Sequence, residues 1–136
     1  TISLVMAQRA KQVIGAEIVP PAIEDAWANA KKNGVSNVEF ICADASKAAA
    51  DLEQRGIRPD VVCVDPPRKG LAPDVIDSIC AMAPSRVVYV SCDPATLARD
   101  LKRFTQLGYR AEKAVGVDLF CRTSHVETVC LMSRVN

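Results

Sequence analysis

The chain has 136 residues, 49% of them hydrophobic and 24% charged, with a formal net charge of +1. That length suits one domain burying roughly two-thirds of its unfolded surface, and that composition excludes a disordered or low-complexity chain. No apolar run is long enough to span a membrane and no charged leader opens the sequence, so a soluble cytoplasmic protein without membrane contact is expected.

Helix and strand patterns then alternate along the chain. Residues 1–10 read as part of a helix. Residues 12–19 hold a strand that closes at Glu17, and residues 20–32 a helix stopped by Asn33-Gly34. Residues 38–43 form the next strand, followed by Asp44 and a helix over 47–55. Residues 60–64 are a continuous apolar run, the mark of a strand buried on both faces. The loop Asp65-Pro66-Pro67-Arg68-Lys69-Gly70-Leu71 follows, then a helix over 73–83. The strand over 86–90 is β-branched or aromatic at Val87 to Val90, and a helix over 95–107 has Asp93 as its N-cap and Pro94 as its first residue. The tail differs: residues 109–119 and 126–133 read as two strands with no helix between them, an antiparallel pair at one edge. The alternation predicts an α/β fold around a mostly parallel sheet covered on both faces. There is no repeat, linker or low-complexity segment. Opening inside a helix with no strand before it reads as a piece of something longer.

The six cysteines, Cys42, Cys63, Cys80, Cys92, Cys121 and Cys130, form no Cys-x-x-Cys pair, which argues against a zinc or iron–sulfur site in this chain. Cys42, Cys63 and Cys130 in strands and Cys80 in a helix read as core thiols, a usage that suits a reducing compartment. Near-neutral charge neither marks nor excludes a nucleic-acid footprint. Arg99, Lys102 and Arg103 on one helix, with Arg68 and Lys69 in the loop, are the candidate basic patches, and a solvated helix face accounts for the first three.

In open α/β sheets ligands bind outside the carboxyl ends of the strands. Glu17, Asp44, Asp65 and Cys92 fall at such ends, and four polar groups at successive ends are expected to converge on one crevice. Glu17 is placed to accept from the two hydroxyls of a ribose. Asp44 either accepts from an exocyclic amine or caps the helix after it. The two prolines after Asp65 stiffen the loop and fix where Asp65 and Arg68 point; Asp65 can accept from an imide N–H or an ammonium group, and Arg68 can hold an anion or orient a carboxylate, the other reading being a rigid turn with solvated charges. Cys92 sits where a strand delivers a thiol to the mouth of a helix, whose positive end favours a thiolate; the other reading is a small buried hydrophobe. Glu127, among Val126 and Val129, suits a general base or acid. His125, the chain's one histidine, is either a proton-transfer group or a structural donor. The six glycines offer no Gly-x-Gly loop.

These residues resemble the SAM-dependent RNA (uracil-5-)-methyltransferases, which make 5-methyluridine in 23S rRNA or tRNA. Asp65-Pro66-Pro67-Arg68-Lys69-Gly70, the run from Ser91 to Asp100, and His125-Val126-Glu127-Thr128-Val129 match the family's three C-terminal motifs in order, and the resemblance covers essentially the whole chain. It implies a class I SAM-methyltransferase (Rossmann-like) fold, N-terminally truncated, with the glycine-rich loop and first strand before residue 1. It implies Cys92 as nucleophile, Glu127 as base, Asp65 lining the pocket of both cofactor and base, and Arg68 and His125 on the substrate. Thr1, Glu17 and Asp44 fall where the family holds SAM. An RNA partner follows, rRNA favoured over tRNA from the Arg68-Lys69-Gly70-Leu71 form, with no obligate protein partner. An iron–sulfur cluster is expected only in an absent N-terminal region, and the isolated piece is expected to be inactive or nearly so. Two positions depart from the pattern: Asp93 stands where the family usually has Asn, and Cys121 where proline is expected.

Three rival readings share the residues. An RNA (cytosine-5-)-methyltransferase usually carries a second cysteine in the Pro-rich loop, which Asp65-Pro66-Pro67-Arg68 lacks. A SAM-fold module that binds RNA without catalysis leaves the joint presence of Cys92 and Glu127 unexplained. A cysteine hydrolase using His125 would show itself by independence of SAM.

Overall fold

A computed structural model describes residues 1–119, 121–123 and 126–135. The chain forms two compact units, Thr1–Asp51 and Leu52–Asn136. Helices and strands alternate as the sequence predicts, and no helix among the described residues is long and apolar enough to cross a membrane.

The first unit holds α1 (Ile2–Ala7), β1 (Val13–Glu17), α2 (Pro20–Lys32), β2 (Val38–Cys42) and the start of α3 (Ala45–Gln54). β1 and β2 pair in parallel, Val13 opposite Val38 through Glu17 opposite Cys42. Ala7, Val13, Ala30 and Val38 form its small core. The Asn37 side-chain amide donates to the carbonyls of Ala7 and Ala10, at 2.9 Å each, and so closes the frayed end of α1. Trp27 meets Phe40 edge to face at 5.0 Å. Asn33 ends α2 and Gly34 takes a φ of +66°, the stop expected from Asn33-Gly34. Cys42 is not a core thiol: it is exposed, because it ends a strand paired on one side by β1 alone.

The second unit contains β3 (Val61–Val64), α4 (Pro73–Ala81), β4 (Arg86–Ser91), α5 (Pro94–Gln106), β5 (Tyr109–Val117) and β6 (Glu127–Arg134). Its four-stranded sheet has the order β3-β4-β6-β5. β3 and β4 are parallel, while β6 runs antiparallel to both β4 and β5. The tail is the expected antiparallel pair, with β5 at the edge. β3 is not buried on both faces. It also lies at an edge, and Val61 is 39% exposed.

Side chains alternate across a sheet with period two. Val87 and Tyr89 of β4 and Cys130 and Met132 of β6 therefore share one face with Ile76 and Ile79 of α4 and Leu97 and Phe104 of α5. Tyr109 completes this core, its ring 6.0 Å from that of Phe104 and its hydroxyl donating to the Pro84 carbonyl at 2.8 Å. The amphipathic helices α4 and α5 thus cover one face. That leaves Val88 and Val90 of β4 on the other.

Candidate active site

Three of the residues singled out in the sequence reach one end of the four-stranded sheet. Asp65 follows the last residue of β3, Cys92 follows the last residue of β4, and Glu127 opens β6. The register brings the last two together. Ser91 of β4 pairs with Thr128 of β6 as the last rung of an antiparallel ladder, so Cys92 and Glu127 each lie one residue past that rung. The same alternation puts Asp65 on the face of Val90 and Glu127, since Val64 is opposite Tyr89. Cys92 and Glu127 are both half-buried, and Asp65 is exposed.

The turn that carries Cys92 is tightly held. Asp93 caps α5: its carboxylate accepts from the amides of Ala95 at 2.9 Å and Thr96 at 3.0 Å, and Pro94 occupies the first helical turn. Buried Ser91 donates through its hydroxyl to the Asp93 carbonyl at 2.9 Å and accepts the Asp93 amide at 3.1 Å. Cys92 is thus gripped between two anchored neighbours, at the end of a helix where amide N–H groups favour negative charge.

The 65–71 loop is held by α5 as well. Thr96 Oγ1 donates to the Arg68 carbonyl at 3.0 Å, and the Arg99 guanidinium donates to the Lys69 carbonyl at 2.9 Å. Gly70 closes a turn onto the Pro67 carbonyl at 2.8 Å with a φ of +73°, a conformation open to glycine. Arg99, with a side chain 56% exposed, thus lies on the solvated face and still holds the loop backbone. Arg103, also in contact with solvent, forks its guanidinium onto both oxygens of Asp77 on α4. Neither pairing is legible in the sequence, because each partner lies more than twenty-five residues away. Burial pushes the Cys63 thiol above its ordinary range, and the neighbouring Asp65 charge adds to that.

Glu17 and Asp44 belong to the other unit. Glu17 is exposed at the end of β1 and accepts the Val19 amide through Oε1 at 3.0 Å. Asp44 accepts the Lys47 amide at 2.9 Å and pairs with the Lys47 ammonium at 3.5 Å, so it caps α3. That backbone hydrogen bond holds its carboxyl below the usual range. Thr1 caps α1 through its carbonyl and lines a hollow of about 490 Å³ with Ser3, Gln8, Asn29 and Phe40. His125 lies outside the described residues. No group of three or more His, Cys, Asp or Glu among the described residues is placed to hold a metal ion.

The arrangement offers a thiol at a helix mouth, a carboxylate beside the same end rung, and a second carboxylate on a stiff loop beside them. It is the equipment for adding a nucleophile to an unsaturated ring and later removing a proton. Residues 1–135 match the family model described as tRNA (Uracil-5-)-methyltransferase. An uncharacterized RNA methyltransferase of Lactiplantibacillus plantarum is 53% identical over 135 residues, which is 98% of this chain and 30% of that protein. One from Clostridium tetani is 51% identical, over 98% of this chain and 29% of its own length. The crystal structure of Pyrococcus abyssi tRNA (uracil-54, C5)-methyltransferase with S-adenosyl-L-homocysteine superposes with a TM-score of 0.80 at 38% identity, covering 94% of this chain and 30% of that one. The chain therefore has the α/β methyltransferase fold and spans about 30% of the length of the relatives it matches.

Proposed function

The chain belongs to the tRNA (uracil-5-)-methyltransferase family, and from that premise we propose that the protein carrying it methylates carbon 5 of a uridine in RNA, with Cys92 as nucleophile and Glu127 as base. The observation that supports this reading is the β4–β6 register, whose last rung, Ser91 with Thr128, is flanked by Cys92 on one strand and Glu127 on the other. The reading takes residues 1–136 as one part of a methyltransferase domain whose glycine-rich loop lies outside the chain.

Carbon 5 of uracil is a poor nucleophile. Addition of the Cys92 thiolate to carbon 6 forms a C–S bond and moves the ring electrons toward an enolate, so that carbon 5 becomes able to accept a methyl group. SAM, when bound, supplies that methyl as an electrophile on a sulfonium. Glu127 then takes the proton from carbon 5, the C5–C6 double bond re-forms, and the Cys92 thiolate leaves. Asp65 accepts from the imide edge and orients the ring, Arg68 meets an anionic group of the RNA, and His125 is read beside the substrate. The donor set of the first unit fits a nucleoside cofactor: Glu17 is an exposed acceptor at a strand's carboxyl end, with one oxygen beyond the bond to Val19. Thr1 and Asp44 are assigned to the same cofactor, Asp44 with its capping bond intact. The Arg68-Lys69-Gly70-Leu71 form of the loop favours rRNA, while tRNA is the substrate named for the matched family and for the Pyrococcus enzyme.

The test uses the full-length protein, SAM, and 23S rRNA or tRNA transcripts carrying 5-fluorouridine. Fluorine cannot leave as a proton, so the cysteine stays bound to the RNA. A gel-stable adduct that disappears in Cys92→Ala is the expected result, and the transcript that forms it names the target. Methyl transfer to ordinary RNA with no adduct would move the target to cytosine or another base, and no transfer at all would leave a binding module. Glu127→Gln is expected to lower turnover by about 10²–10⁴-fold, the usual worth of a positioned base, and to accumulate the adduct on unmodified uridine.

A further inference from the structure

Asp100, on the second turn of α5, is 2% exposed, and the chemistry above gives it no part. A carboxylate is buried at high cost unless its charge and lone pairs are met. Here they are met in full. The Tyr89 hydroxyl donates to Oδ2 at 2.6 Å and the Leu71 amide donates to the same oxygen at 2.8 Å. Arg99 reaches Oδ1 through Nε at 2.8 Å and Nη2 at 2.7 Å. The same Nη2 goes on to the carbonyls of Lys69 at 2.9 Å and Leu71 at 3.3 Å, and one turn earlier Thr96 holds the carbonyl of Arg68. Gly70 lies directly over the carboxylate. A Cβ there would come within 2.5 Å of Oδ2 and 2.6 Å of Arg99 Nη2.

The groups that Asp100 and Arg99 hold are thus the backbone of the 65–71 loop, and the helix that holds them is the one that begins beside Cys92. We infer that Asp100, with Arg99 and Tyr89, is a positioning residue: it clamps the loop across α5 so that Asp65 and Arg68 are kept at the sheet end that carries Cys92 and Glu127. What the loop is positioned for rests on the uridine reading; the clamp itself does not. Tyr89 joins the core of the sheet to the clamp, and burial together with the Asp100 hydrogen bond pushes its hydroxyl well above the ordinary phenol range, so it serves as a fixed donor.

Two measurements on the full-length protein test this. Tryptic cleavage after Arg68 and Lys69 is followed by mass spectrometry, with cleavage after Lys31 and Lys32 as the internal reference. Asp100→Asn is expected to raise loop cleavage about tenfold, the size of one lost charge-assisted hydrogen bond, and Tyr89→Phe by only about threefold. Cleavage after Arg103 and Arg110 rising in step with the loop would make Asp100 a core anchor and overturn the inference, as would no change in the loop. The second measurement is single-turnover adduct formation on 5-fluorouridine RNA. Asp100→Asn is expected to slow the rate about tenfold and leave the final amount of adduct unchanged; a smaller amount formed at the normal rate would overturn the positioning role. If the unsubstituted protein forms no adduct, the uridine reading fails, and the tryptic measurement alone decides the clamp.

Discussion

Asp93 serves two ends that pull against each other. Its carboxylate caps α5 through Ala95 and Thr96, yet it also sets a negative charge beside the thiol that the proposed reaction uses as its nucleophile. Asn caps a helix about as well as Asp. Asp93→Asn is therefore expected to leave stability within about 0.5 kcal/mol while speeding alkylation of Cys92 by iodoacetamide, read on the Cys92 peptide; an unchanged rate would show that the charge does not reach the thiol. Asp93→Ala loses the cap and is expected to cost about 1 kcal/mol in urea denaturation. At Gly70 the positive φ and the carboxylate under it leave no room for a methyl group, so Gly70→Ala is expected to destabilise the second unit by about 2 kcal/mol or more. Cys92, Asp93 and Pro94 were legible because a strand, a cap and a helix start are written in consecutive residues. Asp100 was not: its Leu71 partner is 29 positions away, and a carboxylate on a helix reads as solvated until the loop that covers it is known.

Among the elements, β6 decides most. It enters between β4 and β5, and its odd-numbered and even-numbered residues serve different purposes: Cys130 and Met132 fill the core, while Glu127 belongs to the site. Met132, 1% exposed, is expected to cost about 2–5 kcal/mol when cut to Ala, measured by chemical denaturation, with the larger value if α4 and α5 cannot close over the gap. The order of strands and helices was legible from hydrophobic period alone, and so was the antiparallel tail. Which strands lie at an edge was not. Val61 to Val64 are as apolar as a central strand, and Cys42 ends a run that looks equally buried, because an apolar sequence records the face that is covered and not the number of neighbours alongside. That Cys92 and Glu127 flank the same end rung was likewise hidden, since register is a property of the pairing and not of either strand.

At the scale of the whole molecule, titration separates the two units. Burial, with Asp77 adding, pushes the Cys80 thiol up to about 11, and burial raises Cys63, Cys130 and Tyr109 as well. All four lie in Leu52–Asn136. A raised value in the folded state means that the unfolded chain gives up its proton first, so stability is intact below about pH 9 and falls as pH rises toward 11. Asp44 works in the opposite sense in the first unit. Its carboxyl is lowered, so its capping contribution is present above about pH 4 and is lost as pH falls through the lowered value. Hydrogen exchange across a pH series is expected to show the second unit loosening first in alkali and the start of α3 fraying first in acid; loss of both units together in alkali would contradict this.

The antiparallel pairing of β4 with β6 also has an evolutionary reading. Thirty-odd residues of helix and strand intervene between the thiol and the carboxylate, yet their separation in space depends only on the rungs between the two strands. Lineages can therefore lengthen, shorten or redecorate the far end of β5 and the segment after it without retuning the chemistry, whereas α5 is tied down by its hold on the 65–71 loop. A single deletion inside β6 is another matter, because it would exchange the two sides of the strand and turn the carboxylate away. Natural variation in this protein's relatives should accordingly be generous in the excursion and strict on the ladder.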